Sequence, residues 1–184
     1  FIVPPLSVLD ARQGYWQERK RAWMALGIIG ELGRYAYSSA DARTFKGATQ
    51  NVPSNNTARD APSIFDPVLS ELAYRWFCPP DANILDPFAG GSVRGIVAEY
   101  LGYKYTGIEL RSDQVKANKL QADNLELEPT WIIGDAAGAK DIASDEYDFV
   151  FSCPPYYNLE IYSDLDGELS AMASYELFID KYFS

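Results

Sequence analysis

The stretch Asn83-Ile84-Leu85-Asp86-Pro87-Phe88-Ala89-Gly90-Gly91-Ser92 decides the fold. A short apolar run delivers the chain into a turn holding Pro87, Gly90 and Gly91, and the residues from Ser92 to Leu101 then follow as a helix. A strand that empties through a glycine turn into a helix is the first half of a parallel β-α-β unit. The glycines matter chemically, because without a Cβ the backbone N–H groups approach a ligand closely. A nucleoside-type ligand is implied.

The alternation continues outward from that turn. Tyr103 to Ile108 reads as a second strand, Ser112 to Leu125 as a helix, Thr130 to Ile133 as a third strand and Tyr147 to Ser152 as a fourth. Glu109 falls at the end of the second strand, 23 residues after Asp86, near the offset of about 20 at which an acidic side chain accepts the hydroxyl hydrogens of a ribose. At the end of the third strand, Trp131-Ile132-Ile133-Gly134-Asp135 places another carboxylate where it can accept from an adenine amino group. Either acid alone is an ordinary loop residue. Acids at three successive strand tips form a pattern.

The fourth strand empties into Ser152-Cys153-Pro154-Pro155-Tyr156-Tyr157-Asn158, at the carboxyl end where open α/β sheets place their ligands. Cys78-Pro79-Pro80 repeats the tripeptide but follows a helix and precedes Asp81, so the strand end and Tyr156 carry the signal. The Asp-Pro-Phe-Ala-Gly turn followed by Pro-Pro-Tyr resembles the DNA methyltransferases that methylate the exocyclic amine of adenine or cytosine, over about residues 62 to 184. The resemblance implies S-adenosylmethionine as cofactor, with Asp86, Phe88 and Gly90 in the cofactor turn, Glu109 on the ribose and Asp135 on the adenine side. It implies Cys153, Pro154, Pro155 and Tyr156 as the catalytic motif. Phe65 and Asp66 resemble the segment that closes over the methionine end of the cofactor.

Two departures stand out. Gly91-Ser92 occupies the place of the family's more usual Ser-Gly, and Cys153 stands where an Asp, Asn or Ser normally accepts a hydrogen bond from the target amine; a thiol accepts weakly. The Pro154 carbonyl, aided by Cys153 or Ser152, is the expected acceptor, and Tyr156 the face on which a flipped base stacks. The expected partner is double-stranded DNA. Adenine and cytosine remain equally open, since Ser152 to Tyr162 also resembles cytosine amino-methylases. An RNA methyltransferase and a non-catalytic module that keeps the cofactor site are the competing readings.

Ahead of the turn, Gln13 to about Leu32 reads as a helix with Trp16, Trp23 and Leu26 on one face. The segment Gly14-Tyr15-Trp16-Gln17-Glu18-Arg19 resembles methylases carried by phages and prophages, which links it to restriction-modification systems but gives it no chemistry. Residues 38 to 63 show no apolar period and read as a long irregular connection. Ser63 is placed to cap a helix from about Asp66 to Phe77, with Val68, Leu69, Leu72 and Trp76 as its apolar stripe, ended by Cys78-Pro79-Pro80.

Composition limits the remaining classes. With no histidine among 184 residues, metal-His and Ser-His chemistry are excluded. The net charge is −10, yet residues 1 to 60 carry eight Lys or Arg against five Asp or Glu, and residues 61 to 184 carry eight against twenty-one. The amino-terminal third is therefore the part suited to phosphate. No apolar run reaches the roughly 20 residues that span a bilayer, and both cysteines are expected reduced, as in a cytoplasmic protein. The expected architecture is a doubly wound, Rossmann-like α/β methyltransferase domain over 61–184, truncated after its fourth strand, behind a helical and irregular extension over 1–60. Recognition of a target sequence and full turnover are expected to need more than this chain.

Overall fold

The computed structural model describes residues 9–28, 65–143, 145–157, 163 and 165–183. Helix α1 spans Gly14–Met24 and α2 Pro67–Phe77, after which strands and helices alternate: β1 Asn83–Asp86, α3 Val93–Tyr100, β2 Lys104–Glu109, α4 Ser112–Asp123, β3 Thr130–Ile133, α5 Ala139–Ile142 and β4 Phe149–Val150, followed by α6 Tyr175–Tyr182. All strands are parallel, in the order β3-β2-β1-β4. Asp86 aligns with Gly107 on one side of β1, and Leu85 with Val150 on the other. The chain builds outward from β1 through β2 to β3 and then returns to the far side of β1. That reversal between β1 and β4 opens a crevice at their carboxyl ends, the switch point of a doubly wound sheet.

Packing on the two faces follows from strand alternation. Tyr105 and Gly107 of β2 face α3, and the approach is close: a Cβ on Gly95 would lie 2.7 Å from Trp131 Cζ2 and 2.9 Å from Tyr105 Cε1. Ile108, out of phase with them, faces the opposite side, where a Cβ on Gly134 would meet Ile142 Cδ1 of α5 at 2.7 Å and Ile108 Cγ2 at 3.7 Å. The core joins Ile84, Ile96, Val97, Tyr105 and Trp131 to Val68, Leu72 and Tyr74 of α2 and to Trp16 and Trp23 of α1. No helix among the described residues is long and apolar enough to cross a membrane.

Several boundaries differ from the sequence reading for physical reasons. Helix α1 stops at Met24, and Gly27 follows in the left-handed region at φ +93°, a backbone state that glycine adopts without steric cost. The cap of α2 is Asp66, whose carboxylate accepts from the Val68 N–H, with Pro67 preset for the first turn. The inward face of α2 is turned from the expected stripe: Leu69 and Trp76 stay 44% and 43% exposed while Ser70, Glu71 and Tyr74 are buried. Strand β4 is only two residues long, although its pairing to β1 extends through the Phe151 N–H to Leu85 O bond of 3.0 Å. Ser63, the connection over 38–63, the boundary near residue 60 and residues 29–32 of the expected first helix lie outside the described residues.

Candidate functional site

Asp86 ends β1 fully buried, and it organises the turn from beneath. Its Oδ2 accepts from Arg94 Nε at 2.6 Å and from the Tyr105 hydroxyl at 2.7 Å; its Oδ1 accepts from the Ser152 hydroxyl at 2.6 Å and from the Phe88 N–H at 3.3 Å. Arg94 also donates through Nη2 to the carbonyls of Phe88 at 2.6 Å and Ala89 at 2.9 Å. Burial works against its charge, but Asp86 outweighs that and holds the guanidinium above its ordinary pKa. With those turn carbonyls bound from below, Gly90 takes φ +51° and its N–H reaches Glu109 Oε2 at 3.0 Å. A residue with a Cβ is strained at such a φ.

Glu109, at the tip of β2, uses its other oxygen to accept from the Arg111 N–H at 2.9 Å. Behind the turn, the inward face of α4 is polar: Arg111 donates to Gln114 at 2.9 Å, Gln114 to Asn118 at 2.8 Å, and Asn118 to the Gly90 carbonyl at 2.8 Å. Ser92, buried at the start of α3, donates to Gln121 at 3.0 Å. A chain of satisfied buried amides of this kind fixes one geometry. Asp135, past β3, caps a short 3-10 turn by accepting from Ala137 at 3.0 Å and pairs with Lys181 of α6 at 2.9 Å.

These tips surround a cavity of about 340 Å³ at the switch point. Nine of the eleven residues that the sequence put forward line it: Phe65, Asp66, Phe88, Gly90, Glu109, Asp135, Cys153, Pro155 and Tyr156. Asp86 and Pro154 do not line it; Asp86 lies below the floor. Phe65 is held between the Phe151 ring at 5.9 Å and the Arg94 guanidinium at 4.6 Å. Across the cavity, the loop after β4 is anchored by Ser152, whose hydroxyl accepts from the Phe88 N–H at 3.0 Å while donating to Asp86. Its hydrogen is thus committed to Asp86, and beyond the bond from the Phe88 N–H the oxygen keeps one acceptor site. Tyr156 leaves the loop 57% exposed, and Tyr157 packs against Tyr175 at 5.5 Å and Phe178 at 5.6 Å.

The sequence reading missed Arg94, Tyr105, Ser152 and Asn118 as the parts that hold the site in place. An arginine in the first turn of the helix that leaves the glycine turn, among Val93, Ile96, Val97 and Ala98, was the signal for the first of them.

No family model matches the chain, and no curated protein matches it. Among solved structures, TrmN from Thermus thermophilus is similar over 50% of this chain and 29% of its own, at 21% identity and a TM-score of 0.44. The SAM-dependent methyltransferase of Agrobacterium tumefaciens is similar over 54% of this chain and 35% of its own, at 21% identity and a TM-score of 0.44. The chain therefore spans about a third of the length of these structures. What the site binds rests on its own residues.

Proposed function

We propose that this chain binds S-adenosylmethionine in the switch-point cavity and belongs to an enzyme that methylates the exocyclic amine of a DNA base. One observation carries the reading: the glycine turn with Glu109, and Cys153, Pro155 and Tyr156 of the loop after β4, far apart in sequence, line the same cavity. A nucleoside ligand needs an acceptor for its ribose diol, an apolar slot for its purine and a turn that its body can approach. Glu109 supplies the first, Phe88, Ile108 and Leu110 the second, and Gly90-Gly91 the third. The residues present fit the cofactor.

Bound there, S-adenosylmethionine supplies an electrophilic methyl group. The chain's contribution is placement. Glu109 accepts from the ribose hydroxyls, Asp135 sits on the adenine side, and Phe65 with Asp66 closes the end opposite. A base amine is a weak nucleophile because its lone pair is delocalised into the ring, so the amine must be held in line and its hydrogens accepted. In this reading the Cys153 sulfur on the cavity wall accepts those hydrogens together with the carbonyl of Pro154, which follows it in the loop but does not itself line the cavity, and the half-exposed Tyr156 ring stacks on the flipped base.

The test is transfer of labelled methyl to duplex DNA, to RNA or to neither, followed by nucleoside analysis. Label in N6-methyladenine or N4-methylcytosine supports the reading. Label in RNA alone moves the substrate to RNA, and a full-length protein that binds the cofactor yet labels neither points to a binding module.

A further inference from the structure

Helix α1 carries two matched pairs of side chains, each a tryptophan and a cation four residues apart, and each pair grips one carboxylate, one at the cap of α2 and one within it. Trp16 Nε1 and Lys20 Nζ both meet Asp66 Oδ2 at 3.1 Å. Arg19 grips Glu71 with Nε at 2.6 Å and Nη2 at 2.8 Å, and Trp23 Nε1 donates to the same carboxylate at 2.8 Å. Both grips dock the helix. Only one of them reaches the cavity, because Asp66 lines it and Glu71 does not.

Asp66 is also nearly saturated. A carboxylate offers about four acceptor sites, and Asp66 gives one to the Val68 N–H as the cap of α2 and two to Trp16 and Lys20. The cap bond fixes the carboxylate whether or not Lys20 is present. A ligand ammonium arriving at Asp66 finds one acceptor site and, on the same carboxylate, a like charge already in place. The lysine keeps 24% of its side chain open to solvent and meets Asp66 through one oxygen at 3.1 Å, so it has a path to leave the carboxylate.

We propose that Lys20 is a resident cation that competes with the ammonium of an amino-acid-bearing nucleoside for Asp66, so that helix α1 sets the affinity for that end of the ligand alone. The proposal rests on the reading of the cavity as a cofactor site with Asp66 at its amino-acid end. It gives the amino-terminal helix a function that its sequence did not disclose. Nothing else on α1 is required to change for the competition to be lifted.

The experiment compares two ligands and three variants by calorimetry. S-adenosylhomocysteine carries the ammonium; 5′-methylthioadenosine shares the adenosine and lacks it. K20M should tighten S-adenosylhomocysteine by about two- to fivefold, the scale of a part-exposed ion pair, and leave 5′-methylthioadenosine unchanged. K20R retains the cation and should behave as wild type. R19M, which cuts the other grip of the same helix, should shift neither affinity even where it lowers the melting temperature, with R19K in its place if R19M does not fold. An unchanged or weakened S-adenosylhomocysteine affinity in K20M overturns the competition, as does an equal response to R19M. Binding of neither ligand by the wild-type chain overturns the cofactor reading and the competition with it.

Discussion

The Ser152 hydroxyl donates to the Asp86 carboxylate across 2.6 Å, tying the loop that leaves β4 to the tip of β1. The same oxygen accepts from the Phe88 N–H, so one side chain sets the spacing between the glycine turn and the Pro-Pro-Tyr loop. Removing it leaves Asp86 Oδ1 and the Phe88 N–H with only their longer 3.3 Å bond to each other. Ser152→Ala is expected to lower stability by about 1–3 kcal/mol in urea titration, and Ser152→Thr, which keeps the hydroxyl, to recover most of it. Equal losses in both variants would show that the hydroxyl is not what matters.

The Asp86–Arg94 pair lies deeper, with side-chain exposures of 0% and 5%. Breaking one partner of such a pair strands the other charge and costs about 3–5 kcal/mol. Arg94→Met is therefore expected to unfold near the limit of a domain's stability, and its urea midpoint measures this. A loss under about 1 kcal/mol would mean that Asp86 is satisfied without the guanidinium.

The two thiols differ in setting. Burial pushes the Cys78 thiol up to about 11, with the Asp148 carboxylate adding to the shift. Below that value the group is neutral and a poor nucleophile, so at pH 8 on the order of one molecule in a thousand carries the thiolate. Alkylation of Cys78 by iodoacetamide, followed by mass spectrometry, should be slow at pH 8 and gain about tenfold per pH unit up to that point. Modification at the rate of free cysteine would contradict the assignment.

Cys153 lines the cavity, and a cysteine there invites covalent attack on a pyrimidine ring as an alternative chemistry. It precedes two prolines, and the chain has no histidine to activate it. Cys153→Ser preserves size and supplies a better acceptor, so in the complete enzyme methyl transfer should persist or rise. A dead Cys153→Ser enzyme, with a covalent complex trapped on fluorinated-cytosine DNA, would make this a ring-carbon methyltransferase.

The strand tips were legible because the parallel β-α rhythm fixes where each strand ends, and Glu109 and Asp135 at those ends line the cavity. The supports beneath the turn were not. Gln114, Asn118 and Gln121 occupy the inward face of α4, where helical spacing leads one to expect an apolar stripe, and their burial rests on the carbonyl of Gly90 and the hydroxyl of Ser92. Tyr105 lies in the expected second strand and is buried, but its hydroxyl ends on Asp86. On α2 the expected stripe failed at Leu69 and Trp76 because α1 brings Arg19 and Trp23 to Glu71 and draws that carboxylate inward. Partners remote in sequence decided each of these.

The central claim is that the switch-point cavity takes S-adenosylmethionine with Glu109 on its ribose. The most direct measurement is calorimetric binding of S-adenosylmethionine to the wild-type chain, to Glu109→Gln and to Glu109→Ala, each checked for folding by its melting curve. Two charge-assisted hydroxyl contacts of about 1 kcal/mol or more apiece predict a single site in the wild type, a loss of roughly tenfold or greater in Glu109→Ala, and an intermediate affinity in Glu109→Gln. No binding by the folded wild type, or an unchanged affinity in a folded Glu109→Ala protein, would contradict it.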